Sequence, residues 1–190
     1  MKLKKFINNY TNNLIEFLQN IDTDSIEEII DIFEKTLQPK SKIYILGNGG
    51  SAATASHMVN DLGVGLKRRD IRKFNVISLA DNTPVCSAIA NDIGYENIFY
   101  MQLKDILEPD DVVLAISCSG NSPNIIKAIE YAKQCNSKII GVTGFDGGKL
   151  KTLSDINFHV KTQKDEYGLV EDMHMILDHI IYSYYIQKDK

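Results

Sequence analysis

The chain has 190 residues, of which 44% are hydrophobic and 24% charged, with a formal net charge of −4 at pH 7. That length carries one sizeable core, and the acidic balance offers no broad basic surface for nucleic acid. No apolar run reaches the roughly 18 residues of a membrane span, and asparagines break up the basic opening MKLKKFINNYTNNLIEF, so a cytoplasmic protein is expected.

Two amphipathic helices come first. Phe6, Tyr10, Leu14, Phe17, Leu18 and Ile21 recur at three- and four-residue steps, which puts them on one helix face. Asp24 or Ser25 is placed to cap a second helix, whose stripe of Ile26, Ile29, Ile30, Phe33 and Leu37 runs until QPKS ends it. Both read as packing helices or subunit contacts. From residue 42 the pattern changes to short, β-branched runs: KIYIL, NVISLA, VVLAIS, KIIGVTG and INFHVKT. Most do not alternate, as expected of strands covered on both faces. Helices fill the gaps near residues 51–62, 84–91, 95–107, 122–135 and 169–187. The repetition predicts one α/β domain over residues 1–190, with packing helices to residue 40 and then a doubly wound, five-stranded parallel sheet.

In such sheets ligands bind beyond the carboxyl ends of the strands. GNGGSAA follows the first strand and SCSGNSPN follows the third. Glycine lets backbone approach a ligand, and a helix N-terminus adds unpaired N–H groups suited to phosphate. Ser117, Ser119 and Ser122 add hydroxyls, and Pro123 fits the first turn of the next helix. Phosphate cradles and plain strand–helix turns are the two readings. GNGGSA also matches a dinucleotide fingerprint, but the acidic partner that such a site needs has only Asp81 as a late candidate. Cys86, Cys118 and Cys135 form no CxxC pair and read as reduced thiols, with no histidine near Cys118 to activate it.

His57 and Asp61 share a helix face at i and i+4. The last helix carries Glu171, Asp172, His174, Asp178 and His179, and two readings compete there. Glu171 and His174 make the i, i+3 pair of carboxylate-bridged metal bundles. Alternatively, Met173, Leu177, Ile180, Ile181 and Tyr184 face the core with His174 at its border, leaving Glu171, Met175 and His179 on the far side. Imidazoles with carboxylates suit a divalent transition metal such as zinc, although isolated His–Asp pairs are common on surfaces.

GNGGSAATASH…D, AIANDIGYENIF, SCSGNSPN, GVTGFDGG and VEDMHMILDH stand in the order of the sugar isomerase (SIS) domain family. The chain resembles its phosphoheptose isomerase branch over almost its whole length. The resemblance implies a flavodoxin-like sheet, conversion of sedoheptulose 7-phosphate to D-glycero-D-manno-heptose 7-phosphate through an enediolate, and a homotetramer with active sites between subunits. It implies one zinc ion per site on His57, Asp61, Glu171 and His179. Asn48, Gly49, Gly50, Ser51, Asp61, Asn91, Asp92 and Glu171 would meet the sugar phosphate, with Ser117, Cys118, Ser119 and Ser122 around its phosphate. Asp61 is the expected base and His179 the expected acid. Asp61 replaces the family's glutamate, Glu171 its glutamine, and Gly65 stands where the family has arginine. Two carboxylates would cancel the charge of a divalent ion, which favours metal retention over carbonyl polarisation and opens the way to another phosphosugar. The rival readings are a non-catalytic relative that binds a protein such as a replication initiator, and a phosphosugar-sensing regulator.

Overall fold

A computed structural model describes residues 2–37 and 41–188. Helices α1 (Leu3–Gln19) and α2 (Thr23–Lys35) precede β1 (Ile43–Gly47), α3 (Gly50–Met58) and a π-helical turn at Val59–Gly65. Then follow β2 (Val76–Ser78), α4 (Thr83–Ile93), a 3-10 turn at Tyr95–Asn97 and α5 (Tyr100–Leu103). The remaining elements are β3 (Val112–Ser117), α6 (Pro123–Gln134), β4 (Lys138–Gly144), α7 (Gly148–Leu153), β5 (Ile156–Val160) and α8 (Tyr167–Lys188). The five strands are parallel in the order β2-β1-β3-β4-β5, the flavodoxin-like arrangement.

Both faces of the sheet are covered, which explains why β1 and β3 read as unbroken apolar runs. Ile43, Ile45, Val112, Leu114 and Ile116 pack on one side with α2, α3 and α8 through Phe33, Met58, Leu177 and Ile181. Tyr44, Leu46, Val113 and Ala115 pack on the other with α5, α6 and α7 through Leu103, Ile125, Ile129 and Leu150. The period-two alternation of strand side chains divides these residues between two cores.

Several elements depart from the sequence reading. Asp22, rather than Asp24 or Ser25, caps α2 by accepting from the Ser25 N–H at 3.1 Å. Residues 38–40, within the QPKS expected to end that helix, lie outside the described residues. The helix expected over 95–107 is two short pieces: Lys104 turns out of helical geometry and Asp105 takes φ +63°. α7 has only six residues, too few to show a period. On α8 the buried stripe is Val170, Met173, His174, Leu177, Asp178, Ile181 and Tyr185, and the expected core residues Ile180 and Tyr184 are exposed.

Candidate active site

β1 and β3 are neighbours whose following helices leave to opposite faces of the sheet, so the ends of these two strands flank its switch point. After β1 the chain turns through Asn48 and Gly49 into α3. Gly49 takes φ +53°, a conformation that costs glycine little. After β3, the Ser117 hydroxyl accepts from the Gly120 N–H at 3.1 Å and the Ser119 hydroxyl from the Asn121 N–H at 3.3 Å. Asn48 and Asn124 tie the two loops together by exchanging amide hydrogen bonds of 3.0 and 2.8 Å, and the Tyr95 hydroxyl donates to Asn48 Oδ1 at 2.9 Å. Asn124 is almost wholly buried and was not anticipated. Its place in the first turn after Pro123 was the available signal.

Between these loops lies a cavity of about 150 Å³ lined by Asn48, Ser51, Ser117, Cys118, Ser119, Ser122 and Glu171, with Ile116 and Tyr167. Its walls are hydroxyls, an amide and the start of α3, a set that can donate to a phosphate. Ser119 and Asn121 also line an adjoining cavity of about 390 Å³ that includes Lys161 and Lys164, cations the sequence reading did not place here. Burial, and then the Glu171 charge, push the Cys118 thiol up to about 11, so it stays protonated at neutral pH. Asn91 and Asp92 do not reach this cavity. They lie exposed on α4, where the Asn91 amide donates to the Asp92 carboxylate at 2.8 Å.

Further along α3, His57 and Asp61 meet α8. His57 Nε2 lies 3.5 Å from Asp61 Oδ2, 3.9 Å from Asp178 Oδ2 and 3.2 Å from His179 Nε2. One donor atom from each of these four residues lies within 4.8 Å of the others. The 3.2 Å separation of the imidazole nitrogens approaches the ~3.3 Å edge of a tetrahedron with Zn–N bonds of about 2.0–2.1 Å. Asn60 donates to Asp61 Oδ1 at 2.9 Å. Asp178 is fully buried, and neither of its oxygens has a hydrogen-bond partner. Burial, and then the neighbouring Asp61 carboxylate, push its pKa up to about 7.

Glu171 is not one of the four. Its carboxylate lies against Gly50, where an added Cβ would collide with it, so it belongs to the cavity between the loops. Asp178, rather than Glu171, is the fourth residue whose donor atom lies in this cluster within one chain. The missed signal was an acid in the middle of a buried helical stripe, i+4 from His174 and i−3 from Ile181. His174 is a core residue. Its Nε2 meets the Thr143 carbonyl oxygen at 3.2 Å, and burial lowers its pKa to about 4 despite that contact.

Parallel strand order, a phosphate-sized cavity at the switch point and an imidazole–carboxylate cluster beside it agree with a match to the SIS domain over residues 5–144. The chain belongs to the SIS domain family. The phosphoheptose isomerase of Helicobacter pylori is 38% identical to it over 167 residues, covering 88% of this chain and 83% of that protein. That of Aliarcobacter butzleri is 37% identical over 158 residues, covering 83% and 82%. The solved phosphoheptose isomerase of Neisseria gonorrhoeae shares the fold with a TM-score of 0.86 at 26% identity, covering 97% of this chain and 99% of that one. Within the family, this places the chain in the phosphoheptose isomerase branch.

Proposed function

We propose that this chain is the isomerase that interconverts sedoheptulose 7-phosphate and D-glycero-D-manno-heptose 7-phosphate in heptose biosynthesis. The supporting observation is the joint placement of cradle and cluster on one pair of helices. Gly50 of α3 and Glu171 of α8 adjoin the cavity, while His57 and His179 meet further along the same helices. At 1.5 Å per residue, the seven residues from Gly50 to His57 span about 10 Å, the order of an extended seven-carbon phosphosugar.

Aldose–ketose isomerisation carries a proton between C1 and C2 through an enediolate. Asp61 takes that proton from carbon, and His179 moves a proton at the carbonyl oxygen. A carboxylate has two oxygens and an imidazole two nitrogens, so each residue keeps an atom for proton transfer while another faces the cluster. His57, Asp61 and His179 fit a divalent transition metal, zinc in this reading, which when bound supplies Lewis acidity toward the developing oxyanion. Ser117, Ser119, Ser122 and the start of α3 hold the phosphate, so binding energy remote from the reacting carbons positions the sugar.

The reading includes a homotetramer with its sites at subunit boundaries. α1 and α4 bury none of their residues, and Leu3, Phe6, Ile7, Val85 and Ile93 are exposed. Asn91 and Asp92, outside the cavity of their own chain, would serve a neighbouring copy. Three unpaired cysteines fit a reducing cytoplasm, and among the described residues no helix is long and apolar enough to cross a membrane.

The test is incubation of zinc-loaded protein with sedoheptulose 7-phosphate in D₂O, followed by mass spectrometry and proton NMR. Deuterium at the C1–C2 unit together with an aldose signal is the expected result. Zinc-loaded protein that exchanges nothing would overturn the assignment of this substrate.

A further inference from the structure

We infer that Asn124 and Tyr95 are positioning residues, which hold the Asn48 side-chain amide so that it offers an N–H, and not its carbonyl oxygen, to a phosphate between the loops. The inference rests on reading that cavity as the phosphosugar site and deepens it. An asparagine amide has a donor end and an acceptor end of nearly the same shape. Left free, Asn48 could turn either end to the ligand, and its oxygen would repel an anion.

The surrounding hydrogen bonds remove that freedom. Pro123 and Asn124 open α6, so the Ile125 N–H has no acceptor within the helix. It donates instead to Asn124 Oδ1 at 3.0 Å, which fixes that end of the Asn124 amide as oxygen and the other end as nitrogen. Asn124 is only 1% exposed, so water offers its amide no alternative. Its Nδ2 donates to Asn48 Oδ1 at 2.8 Å while its Oδ1 accepts from Asn48 Nδ2 at 3.0 Å, an exchange that one orientation of Asn48 satisfies. The Tyr95 hydroxyl adds a second donor to Asn48 Oδ1 at 2.9 Å. That oxygen is then saturated, whereas Asn48 Nδ2 keeps one hydrogen with no partner among the described residues. Asn48 lines the cavity, and this hydrogen is what it can give to an anionic oxygen. The serine hydroxyls beside it can donate or accept, and the Glu171 carboxylate can only accept. Of the side chains that line the cavity, Asn48 is thus the one committed to donating.

The experiment measures the affinity of the intact protein for inorganic phosphate, by ³¹P NMR titration at constant ionic strength. The chains compared are the unaltered one, Asn48→Ala, Asn124→Ala, Tyr95→Phe, and the two double variants that include Asn48→Ala. Asn124→Ala is expected to weaken phosphate binding about tenfold and Tyr95→Phe about threefold, the scale of lost hydrogen bonds. In the Asn48→Ala chain neither change is expected to weaken it further, because each acts through Asn48. Residues that merely brace the loops would weaken binding with or without Asn48, so effects that persist in the Asn48→Ala chain would overturn the inference. A Tyr95→Phe chain that binds phosphate like the unaltered one would overturn it too. That variant alters an exposed residue and keeps the test available should Asn124→Ala not fold. Phosphate binding that is absent, or untouched by Asn48→Ala, would overturn both the inference and the reading of the cavity. No sugar enters the titration, so a protein that passes it without turning over sedoheptulose 7-phosphate loses only the assignment of substrate.

Discussion

Asp61 and Asp178 approach His57 from different helical segments, at 3.5 and 3.9 Å, yet they differ in what else they touch. Asp61 has the Asn60 amide on its other oxygen, whereas Asp178 has no donor at all. In the proposed mechanism it is Asp61 that takes the proton from carbon. Asp61→Asn and His179→Gln are each expected to lower turnover by at least about a hundredfold, the scale of a lost acid or base. Steady-state kinetics on metal-loaded protein checks this, and full activity in either variant removes that residue from the mechanism. Glu171 lines the cavity proposed for the phosphate, where its carboxylate would be a like charge. Glu171→Gln is therefore expected to lower KM for the phosphosugar by roughly fivefold, about 1 kcal/mol, and an unchanged or higher KM would mean that the carboxylate binds sugar hydroxyls instead. The shared helix face of His57 and Asp61 was legible from spacing, whereas His179 was singled out over His174 by the family resemblance together with one of two helix-face readings. Asp178 was not legible, because a helix-face reading sends an acid to solvent and only the folded core shows that this one is enclosed.

Among the elements, the five strands could be read because two-sided burial writes β-branched runs directly into the sequence. The π-helical turn at Val59–Gly65 could not, since one residue more per turn leaves no compositional mark. It begins two residues after His57 and contains Asp61, where such turns commonly accompany function. α8 is pinned to β4 by His174 against the Thr143 carbonyl. The folded chain keeps this imidazole neutral down to about pH 4, whereas the unfolded chain protonates it near its ordinary value of 6.5. Across that window the unfolded state binds the extra proton, so stability falls as pH falls, by roughly 3 kcal/mol from this group, and above 6.5 the effect vanishes. Denaturant unfolding at pH 7 and pH 4.5 should show the stability advantage of the unaltered chain over His174→Gln shrinking at the lower pH. An equal advantage at both values would sink the assignment.

For the whole molecule, α1 and α4 leave apolar residues uncovered, Leu3, Phe6, Ile7, Ile15 and Leu18 on the one and Val85 and Ile93 on the other. Sedimentation is expected to give a tetramer, and Phe6→Glu with Ile7→Glu to dissociate it and lower activity. A monomeric unaltered chain would refute the shared-site arrangement. One element, α8, links several of these parts on one side of the sheet. α8 meets α1 through the Tyr10 hydroxyl on Asp172 at 2.5 Å, and lines the phosphate cavity with Tyr167 and Glu171. It then holds β4 through His174, carries Asp178 and His179 into the cluster, and ends with Tyr185 against Phe74. Two ligands gripping one rod cannot be thermodynamically indifferent to each other if either one shifts it. Whatever factor an ion in the cluster contributes to phosphosugar affinity, the phosphosugar must return to the affinity for the ion, so if the coupling is favourable a cell rich in substrate would also favour the metal-bound form.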